Sequence, residues 1–361
     1  MEKLAVARHR FRKYSGLPAA SGRGCRSVGI VGAVSSRARV VFVVAAVAAA
    51  AATATVGLTA WQTRNDHTGE ASATTQPRSG LPPLRLDLGI RDDPEAQALR
   101  RAQSLYSAQK PRAAAAIFAR YSSLPAEVGA AFAAWPDGTL DRMREIVAAH
   151  ASSALAQLHL GLAYYWSGRN ADAVAAWRRA TNVEADTPSA VTAADLLHPE
   201  MAPGLPVFVP SFAEPRGLAR LSPTDQLTTL ARSARRPDAH AKLLYGAFLQ
   251  RLGRPLSAER QFAAAAVLAP HDPDSRVAAA VGRFTKAHPE RAFSRLGPLT
   301  KVFPHAATVR FHLGMLLLWM GRSQLREAER QLKLARAEAP DSSLGKEANR
   351  FLVRLERIGT K

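Results

Sequence analysis

The side chains that could do chemistry are few and scattered. Ten histidines, 29 carboxylates and one cysteine are spread over 361 residues. None of the arrangements that turn such residues into a catalyst is present. There is no His-Glu-x-x-His helix to hold zinc and no glycine loop ending in Lys-Ser/Thr to cradle a phosphate. There is also no Gly-x-Ser-x-Gly turn to expose a nucleophile. His150 and His159 are nine apart, a spacing that matches no ligand pair. His198, His240, His271, His288, His305 and His312 fall mostly at helix ends or on helix faces, where surface and capping roles are the expectation. Cys25 has no partner for a disulfide within the chain and no Cys/His set for zinc. It precedes the apolar segment, so Gly-Arg-Gly-Cys is no lipoprotein box. The sequence therefore predicts no enzyme, no metal site and no cofactor, and leaves recognition by shape.

Recognition needs elements to carry it, and these recur. From Ala239, the residues Gly246, Gly253, Ala258, Phe262, Ala265 and Pro270 are spaced by seven, five, four, three and five. The same places hold Ala280, Ala287, Ala292, Leu296, Leu299 and Pro304, with Phe262 to Leu296 and Pro270 to Pro304 both shifts of 34. A third series reads Gly314, Gly321, Ala328, Leu332, Ala335 and Pro340, with two residues inserted after Gly321. Upstream, Gly161, Gly168, Ala173, Trp177, Ala180 and Ala185 fit without a gap. Gly168, Gly253 and Gly321 follow amphipathic runs and serve as helix stops. Small pairs such as Gly161 with Ala173, or Gly246 with Ala258, let two helices approach. Trp177, Phe262, Leu296 and Leu332 are the large side chains that fill the space between successive pairs. Each pair leaves an apolar face that only the next can cover, so the pairs must stack.

This spacing resembles the tetratricopeptide repeat family, matched over about half of the chain. The resemblance implies an all-α fold, a right-handed superhelix of stacked helix pairs. It also implies a partner, a peptide or helix of another protein, held on the concave face of the first helices. The candidate groove residues it assigns are Leu158, Leu162, Tyr165 and Trp166, then His240, Leu243, Gln250 and Arg251, then Phe284, Phe311, Met315 and Trp319. Family members that clamp a terminal carboxylate present Lys, Arg and Asn there. These places are chiefly aliphatic here, so a carboxylate clamp is not expected, and several of the residues are equally readable as core.

The expected organisation is a repeat over 154–187, three repeats over 239–342 and a charged capping helix over 343–361. Residues 91–153 read as degenerate repeats, one pair broken at Lys110-Pro111 and another turning at Trp135-Pro136-Asp137-Gly138. Residues 188–236 break the period with five prolines from Pro199 to Pro215 and five apolar side chains among them (Leu205, Val207, Phe208, Val209, Phe212). This insertion is either a loop packed on flanking helices or a binding loop placed in the groove.

The amino-terminal segment bears on location. Val40 to Ala60 is an uncharged run of 21 residues, about 31 Å as a helix, long enough for a hydrocarbon core. With Trp61 at its far end, the expected membrane helix is 40–61. A cleaved signal ending at Ala50-Ala51-Ala52 or Ala52-Thr53-Ala54 competes with it. Residues 1–39 carry nine Lys/Arg against Glu2 alone, a net of +8, which places a basic tail in the cytoplasm and the repeats outside the cytoplasmic membrane. Residues 62–90 read as a flexible linker from their Pro, Gly, Ser and Thr content. The remaining 40 basic and 28 acidic residues leave a net of +12. That charge keeps a rival in view, a binder of anionic envelope polymer or lipid, alongside an accessory subunit of an envelope enzyme. Nucleic acid is not an expected partner, because the Arg8–Lys13 run adjoins a membrane segment and not a folded reader. Self-association is left open. The arginine- and alanine-rich composition associates with bacteria of high GC content, and the expected role is a non-enzymatic scaffold in the cell envelope.

Overall fold

The computed structural model describes residues 78–359, within the second of two units, Met1–Ala48 and Ala49–Lys361. The basic tail and the expected membrane helix lie outside the described residues, as does the linker as far as residue 77. Among the described residues the secondary structure is all helical, with fifteen α-helices and no strand. No helix there is long and apolar enough to cross a membrane.

The first array consists of α1 (Pro94–Ser107) with α2 (Pro111–Phe118), α3 (Leu124–Ala133) with α4 (Thr139–Ala149), α5 (Ala154–Trp166) with α6 (Asn170–Val183), and then α7 (Pro188–Leu197). After 25 residues that hold only a short 3-10 turn, Leu218–Arg220, comes α8 (Pro223–Ser233). The second array then repeats the plan: α9 (Ala239–Arg251) with α10 (Pro255–Leu268), α11 (Pro273–Val281) with α12 (Glu290–Val302), α13 (Ala307–Trp319) with α14 (Leu325–Glu338), and α15 (Ser343–Gly359). Within each array every helix packs on the next, and each first helix also packs on the first helix of the following pair.

Local chemistry sets the boundaries. Proline occupies the first turn of α1, α2, α7, α8, α10 and α11, where no amide hydrogen bond is lost. Asp93, Ser153, Thr187, Ser222, Asp238 and Asp272 each accept an amide proton from the following turn. At the turns after α5 and α9, Gly168 and Gly253 have φ of +80° and +70°, which any larger residue would adopt only with strain.

Close approach inside a pair rests on residues without a Cβ. A methyl group on Gly161 would lie 2.3 Å from Trp177 Nε1 and 3.1 Å from the Ala173 carbonyl, and one on Gly246 would lie 2.4 Å from the Phe262 ring. Trp177 and Phe262 are buried, and Trp177 Nε1–H donates to the Leu158 carbonyl at 3.3 Å. Such an aromatic has no room to retreat.

Two parts of the chain without regular structure are packed against the helices. The stretch 78–90, expected as the end of a flexible linker, is extended and packed, with Leu84 and Leu88 only 4% and 5% exposed. Its prolines stiffen it, and its leucines fasten it to the first array. The proline-rich insertion is likewise extended across the second array, with Phe208 fully buried.

Gly161→Ala should lower stability by about 1–3 kcal/mol through overpacking against Trp177. Gly297→Ala, in α12 with nothing within 4 Å of its added methyl, should raise it by about 0.5–1 kcal/mol. Urea unfolding followed by circular dichroism checks both; equal effects would remove close approach as the reason for glycine at 161.

Candidate peptide-binding faces

Each array holds an extended piece of its own chain against the first helices. In the second array the strap begins at Ala202, whose amide donates to the Trp319 carbonyl at 3.3 Å and whose carbonyl accepts from Lys286 Nζ at 2.6 Å. Trp319 Nε1–H donates to the Gly204 carbonyl at 3.2 Å. Gln250 reads both directions of the backbone: its Nε2 donates to the Pro206 carbonyl at 3.4 Å, and its Oε1 accepts from the Phe208 amide at 2.8 Å. The Val209 amide donates to His312 Nε2 at 2.9 Å. The Ser211 amide and hydroxyl both donate to Asp274 Oδ2, at 2.8 and 2.7 Å. The large buried side chain is Phe208, stacked on His312 at 5.1 Å between ring centroids and edge-on to Phe262 at 5.5 Å.

The first array does the same with residues 78–88. The Arg78 amide donates to the Trp166 carbonyl at 2.7 Å, and its guanidinium lies 3.5 Å over the Tyr165 ring. Tyr106 donates its hydroxyl proton to the Pro82 carbonyl at 2.7 Å. The Arg85 amide donates to His159 Nε2 at 3.2 Å, and the Leu86 amide to Gln103 Oε1 at 3.2 Å. Burial pushes the Tyr106 phenol up, so it stays a proton donor.

The two straps correspond residue by residue. Gly80-Leu81-Pro82 matches Gly204-Leu205-Pro206, and both glycines have positive φ, +84° and +75°. Pro82 and Pro206 are both buried, as are Leu84 and Phe208 two places on. Arg78 and Ala202 donate to the carbonyls of the last tryptophans of α5 and α13, and Arg85 and Val209 donate to the histidines seven residues before those tryptophans. Those histidines lie in Leu158-His159-Leu160-Gly161 and Phe311-His312-Leu313-Gly314.

Histidine suits this place for an electronic reason. His159 Nδ1 lies 2.8 Å from the Leu155 carbonyl and His312 Nδ1 lies 2.7 Å from the Thr308 carbonyl. A carbonyl only accepts, so Nδ1 carries the proton and Nε2 presents a lone pair to the strap amide. Burial lowers both rings to about 4, which keeps them neutral and the lone pairs free. Their charged neighbours are Arg85 for His159 and Asp274 for His312.

Ser211, Asp274 and His312 are the residue types of a hydrolytic triad, but the bonds are those of a fastener. The serine donates directly to the aspartate, and both histidine nitrogens are engaged with backbone. Among the described residues no group of three or more His, Cys, Asp or Glu is placed to hold a metal ion.

The twelve candidate groove residues divide into two sets. Leu158, Leu162, Leu243, Phe284, Phe311 and Met315 are buried at 5% exposure or less; they form the floor and offer no surface to a partner. The other six meet or flank the straps. Tyr165, Gln250 and Trp319 make the contacts above, and the Trp166 carbonyl receives Arg78. His240 stacks on Phe212 at 4.2 Å and Arg251 pairs with Glu214 at 3.3 Å. Spacing alone missed His159, His312, Gln103, Tyr106 and Lys286. The recurring Gly-Leu-Pro and His-Leu-Gly triplets were the signal available. Searches with family models and among curated proteins returned no match.

The two histidines make stability depend on pH. Each has a folded pKa of about 4 against an ordinary value near 6.5, so between those values the unfolded chain binds more protons. Stability is then complete above about pH 6.5 and falls as pH drops to about 4, by roughly 3 kcal/mol for each ring. His159→Gln/His312→Gln should be less stable at neutral pH yet show a flatter decline over that window. Urea unfolding at pH 7, 5.5 and 4.5 checks this; an unchanged slope would show that these rings are not what titrates.

Proposed function

We propose that this chain is a non-enzymatic interaction scaffold, a membrane-anchored tetratricopeptide-type array that binds an extended partner segment outside the cytoplasmic membrane. The observation that carries the reading is the way each first-helix face grips an extended backbone: side chains supply most of the hydrogen bonds, and apolar residues are buried as anchors, Leu84 and Leu88 in one strap and Phe208 in the other. Surfaces that recognise peptides combine main-chain hydrogen bonds for affinity with a pocket for specificity. The stacking of each pair on the next supports a repeat superhelix with a shared inner face. The 34-residue period, the glycine stops and the aromatic side chains filling the spaces between pairs support the tetratricopeptide assignment.

The location rests on Val40–Trp61 as a single membrane helix, with the basic tail of residues 1–39 on the cytoplasmic side. A scaffold in that position serves assembly or maintenance of the envelope. Protease added to intact cells should degrade the array and spare the tail.

The test is in-cell crosslinking of the full-length chain beside Tyr165→Ala/Trp319→Ala, two residues that touch the straps while remaining partly exposed. The expected result is one envelope protein captured by the wild type, still held in 1 M salt and lost in the variant, because an apolar face is nearly indifferent to screening. Retention of lipid or anionic polymer alone, lost steeply with salt, would replace this reading with binding through basic charge.

A further inference from the structure

We propose that the first-helix face of the second array is a recognition site for a segment of another protein with the pattern Gly-Leu-Pro-x-Phe, bearing a hydrogen-bond donor or basic side chain three residues after the phenylalanine, and that residues 202–212 are its tethered resident. The proposal rests on the scaffold reading and adds the chemistry of the ligand.

The duplication supplies the pattern. Where the two straps agree, the face demands it: a left-handed glycine, Leu-Pro with the proline buried, and a buried apolar residue two places on. Where they differ, as at Arg85 and Val209, the shared contact is the backbone amide given to a histidine, and the Val209 side chain packs in addition against the cluster of Phe311 and Met315. Main-chain recognition with one anchor is transferable, because any chain that can adopt the same extension offers the same amides and carbonyls.

Asp274 adds selectivity. It is 2% exposed, and Oδ2 takes both protons from Ser211 while Oδ1 has no hydrogen-bond partner. A buried carboxylate oxygen without a donor is costly, so the resident satisfies its own site incompletely. A ligand with lysine or arginine at the Ser211 place would serve both oxygens. The first array reads differently there. Aligning the buried positions 126, 128, 129, 131 and 132 with 275, 277, 278, 280 and 281 puts Pro125 where α11 has Asp274. Its strap carries Asp87 at the place of Ser211. On the second face Asp87 would meet Asp274, so the two straps are not interchangeable.

The resident is also held unevenly. Its amino end is fixed by the buried Lys286 bonding Ala202 and by the partly buried Asp195 accepting from the Gly204 amide at 3.0 Å. Its carboxyl end has no such charged fastening: Phe212 lies over the exposed His240 and packs beside Leu218, Leu230, Leu244 and Phe248, and the pair Arg251–Glu214 is half-exposed. A tether of this length keeps the resident at an effective concentration of about millimolar, so a free ligand must outbid it or arrive when it has peeled away.

The experiment uses labelled peptides of residues 202–213 and the full-length chain in detergent, wild type beside Phe208→Asp, which drives a carboxylate into the apolar slot and ejects the resident. The variant should bind the peptide at least tenfold more tightly than the wild type does. Ser211→Lys in the peptide should tighten binding several-fold further, while Ser211→Asp or a peptide of residues 78–89 should not bind. Amide exchange on the wild type covers the case in which the variant fails to fold: excess Ser211→Lys peptide should speed exchange at the resident's Phe208 and Val209. A well-folded variant that binds none of the peptides, or strap amides that exchange only with global unfolding and ignore the peptide, would overturn the proposal and make the strap a fixed part of the fold. Concentration-dependent dimers of the wild type would overturn the assignment to another protein, giving the face to the strap of a second copy. If crosslinking captures a partner through the face and these peptides still fail, the scaffold reading survives and the ligand pattern falls.

Discussion

An extended backbone laid against helices must have its amides and carbonyls satisfied by side chains, and this constraint shapes the rest of the molecule. A helix has spent its own backbone groups on itself, and among the described residues there is no sheet to extend. Each strap therefore draws on residues that project from first helices: Gln103, Tyr106 and His159 in one array, Gln250, Asp274, His312 and Trp319 in the other. An unpaired amide in that position would cost about 1–3 kcal/mol, so these polar residues can sit on a largely apolar face without weakening it. The same constraint explains why histidine occupies the third first helix in both arrays. It can give a proton back to its own helix through Nδ1 and still receive one from the strap at Nε2, which lysine and arginine cannot do.

The straps in turn explain how each array closes its inner face. Stacked pairs cover one another along the stack, but the face shared by the first helices is left open by that stacking alone. Leu84 and Leu88 join the cluster that contains Leu99, Leu158 and Leu162; Phe208 joins the one that contains Leu243, Val277 and Phe284. Burying a leucine or phenylalanine side chain is worth about 1.5–3 kcal/mol, similar in size to the glycine contacts between paired helices. The repeat core and its self-bound segment thus contribute on the same scale, and each strap stabilises the face it covers.

The helices were legible in the sequence because their signals are local. Gly168 and Gly253 take the positive φ that their spacing implied, and Pro111, Pro188, Pro223 and Pro255 begin helices where proline is cheap. The small residue at 161 is required by Trp177 in a way that spacing alone could suggest. The straps were less legible, because composition and periodicity speak of helix or linker and not of an extended segment with an address elsewhere in the chain. Residues 78–90 have the prolines and glycines of a tether, and only the partners at 103, 106, 159 and 166 reveal that they are fixed. The insertion, readable in sequence as a loop packed on flanking helices or as one placed in the groove, lies on the first-helix face itself, where a segment of the same chain is present at a far higher effective concentration than any free protein.

The pair of the buried Lys286 and the partly buried Asp195 fastens the start of the second strap. Lys286 Nζ lies 2.6 Å from Asp195 Oδ1 with no side-chain exposure, and it also holds the Ala202 carbonyl. Asp195 stands on α7 of the first array, while Lys286 follows α11 of the second. One ion pair therefore fixes the end of α7, the start of the strap and the turn after α11 together. Removing one member of such a pair leaves a charge without compensation and costs about 3–5 kcal/mol, whereas the exposed Arg251–Glu214 pair at the other end contributes no more than about 1 kcal/mol. The strap is therefore held at its start by charge and at its far end chiefly by apolar packing, where Phe212 and Leu218 meet Leu230, Leu244 and Phe248.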